Sequence, residues 1–314
     1  MRLAIISRNR NLHSVRRLLQ EASQLGVPLD TINPTECQII VEGSRSRIVV
    51  GSQELPRYDA VLPRIGASIT QYGLAVVKQF EILGVFTVNS SLAIAESRDK
   101  FRALQLLTQA GVRVPTTILT RSERSLRSTS RLVGGMPVIV KLLQGTQGVG
   151  VMLLHTPASF QSVVETLWDF GEDVFVQEFL KGSVRKRGVS KSGTDYRAFV
   201  VGDRVVAAMQ RTAIRGEFRS NIHRGGEGAL VRLPRDYQEV AIQAAQAFGL
   251  QIAGVDLMPT PDGPAVLEVN SSPGFEGIER ATGLNIAGEI VAHMVRLAKK
   301  RQSAGARAKR IKRK

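Results

Sequence analysis

A chain of 314 residues has room for two domains or one subdivided core. At 43% hydrophobic and 22% charged residues it is a globular composition, which excludes a disordered or collagen-like chain. The single cysteine, Cys37, excludes an intramolecular disulfide framework and points to a reducing, cytoplasmic setting. The net charge of +16 is concentrated in two places. Lys299 to Lys314 holds nine Lys/Arg and no acid, and Lys181 to Lys191 holds five and no acid, so the rest of the chain is nearly balanced. Such runs are solvated segments, or they tether an acidic partner such as RNA or a polyacidic peptide. Neither run contains Phe, Tyr or Trp, so any nucleic-acid contact is expected to be with phosphate and insensitive to sequence. The opening Met1 to Arg8 returns to charge after four apolar residues, too few for a secretory h-region, and no window approaches the ~18 apolar residues of a membrane span.

The first third alternates buried-strand runs with helical periodicity. Leu3 to Ile6 reads as a strand, and Val15, Leu18, Leu19, Ala22 and Leu25 recur at helical spacing until Gly26. A strand at Tyr58 to Leu62, a helix over Ile69 to Leu83 and a strand at Val85 to Val88 ending in Asn89 follow. This is the pattern of a small parallel sheet, and Pro63-Arg64-Ile65-Gly66 leaves the carboxyl end of a strand, where ligands gather. A helix with Phe101, Leu104, Leu107 and Ala110 runs to Gly111, Val112 to Leu119 is extended, and Ser122 to Ser130 is an exposed loop or helix. Strands are then expected at Pro137 to Leu143, Val151 to Leu154, Val174 to Phe179, Ala198 to Val201, Val205 to Met209, Ile252 to Met258 and Ala265 to Val269. Helices Phe160 to Trp168, Tyr237 to Phe248 and Ile286 to Leu297 are interleaved with them.

Lys141 is the one ammonium in the apolar run Val138 to Leu143, and a buried lysine needs an anion; an internal salt bridge or an edge position facing water is the alternative. The loop after it, Gly145 to Gly150, places three glycines near that lysine and can close over an anion or simply form a hairpin. In Ala265 to Asn270, alternation sets Glu268 and Asn270 on one face. If the hairpin folds about Asp262, Asp256 lies opposite Glu268, a like-charged pair that a hard divalent cation would neutralise. Asp256, Glu268 and Asn270 then form an oxygen set suited to Mg²⁺ or Mn²⁺ shared with phosphates. The alternative is that one carboxylate pairs with an arginine such as Arg211 or Arg219, or that the register is shifted. The four histidines are scattered with no nucleophile beside them, and no Cys/His cluster could hold zinc. Arg211, Arg215, Arg219 and Arg224, with Asn221 and His223, make a solvated loop or a set of bidentate clamps.

These pieces resemble the ATP-grasp ligases, most closely the RimK type, which adds glutamate to the C-terminus of a small-subunit ribosomal protein. The resemblance rests on Pro63 to Gly66, Ser97-Arg98-Asp99-Lys100, Lys141 with the glycine loop, Gln177-Glu178-Phe179-Leu180, Phe218 to Asn221, His223 to Gly226, Val255-Asp256, and Leu267 to Gly274 with Glu276 to Glu279. It implies a mixed α/β and α+β protein, with a Rossmann-like pre-ATP-grasp domain (1–96) followed by a two-lobed ATP-grasp domain. The lobes are a central one (97–180) and a C-terminal one with the metal site (181–298), ahead of a disordered basic tail (299–314). It further implies that Lys100 and Lys141 hold phosphates under a lid containing Gly148, and that Glu178 and Phe179 bind adenine. Asp195, Arg211 and Asn221 would lie at the nucleotide, and Asp256, Glu268 and Asn270 would hold two Mg²⁺ or Mn²⁺ ions. Arg197 and Arg219 are the catalytic expectations and, with Arg64, grip substrate carboxylates or the transferring phosphoryl group. The expected reaction joins L-glutamate to the acidic C-terminus of a ribosomal protein through an acyl phosphate. A ligase of small carboxylates and a non-catalytic ATP- or RNA-binding protein are the alternatives. A homo-oligomer, nonspecific ribosome or RNA contact through the tail, and no membrane complete these expectations.

Overall fold

The computed structural model describes residues 1–143, 150–180, 185–186, 189–190, 194–213 and 227–311. Val15, Leu18 and Ala22 recur on one side of helix α1 (His13–Gln24) and bury against strand β1 (Leu3–Ile6). With β2 (Leu29–Ile32), β6 (Ala60–Pro63) and β7 (Phe86–Thr87), β1 forms a parallel sheet in the order β2-β1-β6-β7. An antiparallel ribbon of β3 (Cys37–Glu42), β4 (Arg45–Val50) and β5 (Gln53–Glu54) precedes β6. Helix α2 (Thr70–Ile82) packs on the second face of the sheet through Val76, Val77 and Phe80. Two short helices lead onward, α3 (Ser91–Arg98) capped by Ser90 and α4 (Lys100–Gln109) capped by Asp99.

The central lobe is a sheet in the order β10-β9-β11-β8, built from β8 (Thr117–Leu119), β9 (Val138–Leu142), β10 (Val151–Leu154) and β11 (Val174–Glu178). Helices α5 (Leu126–Leu132) and α6 (Pro157–Asp169) close its far face around Val138, Val140, Val164 and Val176. The segment expected as loop or helix over Ser122 to Ser130 is largely helical, a short 3₁₀ turn running into α5.

The C-terminal lobe carries a five-stranded sheet in the order β16-β15-β14-β17-β18, with β14 (Thr194–Val201), β15 (Arg204–Thr212), β16 (Glu227–Leu230), β17 (Ile252–Thr260) and β18 (Gly263–Asn270). Within the basic run, β12 (Arg185–Lys186) and β13 (Val189–Ser190) pair as a small hairpin. Helix α7 (Arg235–Ala247) covers one face of the five-stranded sheet, and α8 (Glu276–Thr282) and α9 (Ile286–Ile311) lie toward the other. Helix α9 does not stop near Leu297. It runs to Ile311, so most of the tail expected to be disordered continues a helix. Gln302 donates to Asp59 at 2.8 Å and the Arg301 guanidinium lies 5.4 Å from the Phe86 ring centre, which ties the start of that extension to the N-terminal sheet.

The cores reveal how the lobes are joined. Leu3, Ile5, Val15 and Leu62 of the first sheet and its helix share one apolar cluster with Phe199, Ile252, Phe275, Ile290 and Met294. The central lobe has a cluster of its own. Asn89 strengthens the first union: its amide donates to Ile252 O (2.8 Å) and Ser271 O (2.9 Å) and accepts from Gln251 N (2.9 Å) and Ile252 N (3.2 Å).

Candidate active site

Strand alternation sets the site on one face of the five-stranded sheet. Asp195, Arg197, Phe199 and Val201 of β14 share that face with Met209 and Arg211 of β15, with Ile252, Gly254 and Asp256 of β17, and with Glu268 and Asn270 of β18. The apolar members join the shared core and the charged members lie at the opposite end. Register places Arg197 beside Asp256, Asp195 beside Arg211, and Asp256 opposite Glu268, the pairing expected from the hairpin.

Asp256 is held by two guanidinium groups. Arg197 donates Nε to Oδ1 and Nη2 to Oδ2, both at 2.7 Å, and Arg211 Nη2 lies 2.9 Å from Oδ2. Arg211 also forks onto Asp195 at 2.7 and 2.6 Å. The alternative in which a carboxylate of the pair binds Arg211 is therefore realised alongside the predicted register. Asp256 and Arg211 are only 4% and 3% exposed, so each ion is kept charged by its partners rather than by water. Burial pushes the Asp256 carboxyl up, but Arg197 and Arg211 outweigh it and hold the group at about 2. Burial lowers Arg211, and Asp256 and Asp195 more than reverse this. Asp195, expected near the nucleotide, has both oxygens engaged by Arg211.

Glu268 is exposed and has no ion pair among the described residues. Its charge is felt by Lys100 and Lys141. Lys141 shares a face of β9 with Ile139, opposite the valines of the central core, and its Nζ lies 5.8 Å from the Phe175 ring centre. Burial lowers Lys141 to about 8; Glu268 opposes the shift and Lys100 adds to it. Lys100 Nζ donates to Leu142 O at 2.8 Å, and burial lowers it too, again against Glu268. Glu178, at the end of β11, accepts from Thr116 N at 3.1 Å and donates its own N–H to Thr116 O, so its carboxylate fastens the approach to β8. Phe179 is half-buried directly after it. Gly148, Arg219 and Asn221, with most of the glycine loop, lie outside the described residues.

The donor set fits a hard cation that shares phosphate oxygens. Asp256 offers about four lone-pair directions, of which the arginines use three, and Glu268 beside it is open. Asn270 Oδ1 accepts from Ser272 N at 2.9 Å and retains a second lone pair. Among the described residues no three His, Cys, Asp or Glu side chains form a cage by themselves. A cation held here would need phosphate and water to complete its shell, as magnesium prefers. Lys100, Lys141, Arg197 and Arg211 outnumber Asp195, Asp256 and Glu268, which leaves the site net positive and suited to a polyanion.

Two residues position this site without a motif to announce them. Gly254 is one, because a Cβ there would come within 2.8 Å of Pro273 in the loop after β18. Asn89 is the other, and its only sequence signal is an amide at the end of a predicted strand.

Two facing lobes, one presenting lysines and the other a carboxylate ribbon, behind a parallel-sheet domain define an ATP-grasp ligase. More particularly, the chain belongs to the RimK family: the RimK PreATP-grasp domain matches residues 1–94 and the RimK-like ATP-grasp domain residues 97–294. It is 45% identical over 308 residues to Probable alpha-L-glutamate ligase 1 of Shewanella amazonensis, covering 98% of this chain and 100% of that one. To Probable alpha-L-glutamate ligase of Shewanella loihica it is 47% identical over 299 residues, covering 95% and 97%. Among solved structures, the ATP-grasp ligase PsnB complexed with minimal precursor, Mg and ADP superposes with a TM-score of 0.72 at 20% identity, over 95% of this chain and 98% of that one. D-alanine--D-alanine ligase of Bacillus anthracis complexed with ATP gives 0.64 at 16% identity, over 96% and 99%. No helix among the described residues is long and apolar enough to cross a membrane.

Proposed function

We propose that this protein joins L-glutamate to a carboxylate at the C-terminus of a ribosomal protein in the cytoplasm, with ATP as phosphoryl donor and two Mg²⁺ or Mn²⁺ ions. The observation that carries the reading is Asp256 opposite Glu268 on one ribbon, with Lys141 of the central sheet and Lys100 at the start of α4 close enough to feel the Glu268 charge. The names of the relatives supply the amino acid.

In this reading an acceptor carboxylate oxygen attacks the γ-phosphorus of ATP and ADP leaves. The amine of glutamate then attacks the acyl carbon, phosphate departs, and the amine proton passes to solvent. Such chemistry depends on positioning and charge neutralisation. Lys100 and Lys141 hold phosphate oxygens, Asp256, Glu268 and Asn270 hold the ions, and Arg197 and Arg211 keep Asp256 charged and oriented. The bound ions supply neutralisation of phosphate charge.

The test is to incubate the protein with ATP, Mg²⁺ and glutamate, with and without small-subunit ribosomal proteins, and to read masses. Mass increments of single glutamate residues on a protein are expected. ADP release only with small carboxylates moves the acceptor to a metabolite, and no turnover with any acceptor overturns the ligase reading.

A further inference from the structure

Every residue of β2 and the one after it, Leu29 to Asn33, lines a single cavity of about 350 Å³ in the first domain. Consecutive strand residues point to opposite faces of a sheet, so what five in a row share is the edge of the strand. That edge is open, because β2 is the last strand in the order β2-β1-β6-β7. On its inner side Leu3 N donates to Pro28 O at 3.3 Å and Ser7 N to Ile32 O at 2.9 Å, so the parallel ladder turns the main-chain groups of Asp30 and Ile32 toward β1. Those of Leu29 and Thr31 point outward, and among the described residues the Thr31 N–H and C=O have no hydrogen-bond partner. The facing wall is apolar: Val50, the last residue of β4, and Leu55, the residue after β5. An unpaired edge over an apolar wall is a template for one more strand.

The two ends of this recess differ. At the amino end of β2, Arg2 Nε donates to Asp30 Oδ2 at 2.9 Å, Tyr58 Oη donates to the same oxygen at 3.0 Å, and the Arg2 guanidinium lies 5.3 Å from the Tyr58 ring centre. Those charges are spent on each other. At the carboxyl end stands Arg10, with Arg8 in the same exposed connection, and neither has an ion pair among the described residues. The one acid there, Glu36, accepts from Asn33 Nδ2 at 2.7 Å, so two open cations face one engaged carboxylate. The carboxyl end is also the end turned toward the candidate active site. Register aligns Ile6 with both Ile32 and Pro63, and Arg64, the next residue, donates to Pro273 O at 2.8 Å in the loop that follows Asn270.

We propose that the open edge of β2 binds the tail of the acceptor protein as an added parallel strand, upstream of the carboxylate that is activated. Main-chain bonds to Thr31 hold the segment, Val50 and Leu55 cover it, and Arg10 meets an acidic residue where it leaves the recess. At about 3.3 Å per residue the edge from Leu29 to Asn33 is about 13 Å long, room for about four residues of extended chain. Direction follows from the placement of the site: a parallel segment continues the sheet and sends its C-terminus toward the cleft, whereas an antiparallel one sends it away. Main-chain bonding reads no side chains, so the recess selects an extended tail with acid near its end rather than a fixed sequence. The assignment deepens the proposed function and rests on its acceptor being a protein.

Amide hydrogen exchange on the full-length protein, loaded with ADP and Mg²⁺, tests it with two probes. One is a threonine-rich peptide of about ten residues ending in two glutamates, long enough to reach past the recess; the other is the dipeptide of those glutamates alone. The long peptide is expected to slow exchange at Thr31 by at least about tenfold, and the dipeptide to leave it unchanged. Thr31→Pro removes the outward donor from a strand edge, where proline is tolerated, and should weaken the long peptide by about tenfold in calorimetric titration. Arg10→Glu, on an exposed connection, should weaken it by a similar factor and keeps the test intact if Thr31→Pro does not fold. No slowing at Thr31 with the long peptide, equal slowing with the dipeptide, or undiminished affinity of Arg10→Glu for the long peptide would each overturn the assignment. Slowing at Thr31 by a peptide to which the mass assay adds no glutamate would retire the proposed reaction and leave the strand site standing.

Discussion

The charges on the C-terminal sheet and the two lysines near Glu268, Lys141 on β9 and Lys100 at the start of α4, are handled in opposite ways. Arg197, Arg211, Asp195 and Asp256 form a closed set, with short bonds between partners and little exposure to water. Lys100 and Lys141 have no carboxylate within ion-pairing distance among the described residues, and burial weakens their hold on the proton. A closed set maintains a shape, because removing one member strands another in a medium that penalises it. Open cations burden the empty protein and are relieved when a polyanion arrives. The same side-chain chemistry thus serves rigidity on one wall and capture on the other.

The strongest way to break this contrast is at Glu268, the exposed carboxylate between the two walls. Glu268→Gln should leave the urea midpoint in place and reduce Mg²⁺-dependent turnover by about 10³-fold, several kcal/mol of lost charge stabilisation. Wild-type rates would remove Glu268 from the site. Next in size is a pair of substitutions that should act in opposite senses. Asp195→Asn is expected to lower unfolding free energy by about 1.5–3 kcal/mol in urea titrations, since Arg211 loses a charged acceptor. Lys141→Met should keep or raise stability while weakening ADP by at least about tenfold, because an apolar side chain suits that strand and a cation suits phosphate. Equal stability losses in the two variants would erase the distinction between the walls.

The smallest effect is a pH profile. Lys141 in the folded protein loses its proton at about pH 8, whereas the unfolded chain keeps it to the ordinary lysine value of about 10.4. The unfolded state therefore binds more protons in that window, and this residue's contribution to stability rises with pH across it. Affinity for ADP moves the other way, declining as the cation disappears, and Lys141→Arg should flatten the decline. Asp256, held down at about 2, stays charged throughout, so its stabilising contribution is present above the ordinary carboxylate value and is lost only as pH falls toward about 2.

The sequence carried much of this arrangement and hid some of it for identifiable reasons. Strands β9, β10 and β17 and helices α1 and α6 follow from apolar spacing, a local property. The β3–β4 ribbon is the sort of element that a search for parallel β-α alternation passes over, although Gly43-Ser44 between Ile39-Ile40-Val41 and Ile48-Val49-Val50 is a hairpin signature. The opposition of Asp256 and Glu268 is correct through two displacements that cancel. The β17–β18 turn closes between Thr260 and Gly263, half a residue earlier than a fold about Asp262, and an irregularity after Asp256 adds one residue on the other strand. That β14 supplies Arg197 to Asp256 could not be read at all, because strand neighbours distant in sequence leave no periodic trace. The helical reach of α9 was obscured by its composition, since a run of like charges resembles a solvated tail until it is seen growing from a packed helix.

The merged core of the first sheet and the C-terminal lobe has a mechanical corollary. With Ile5, Phe199 and Ile290 in one cluster, and with Asn89 held by four bonds, those two regions are packed as one block. The β8–β11 sheet keeps a cluster of its own and is tied across by Lys100 Nζ on Leu142 O, so any opening of the cleft is expected to move that sheet against the block and to break that bond.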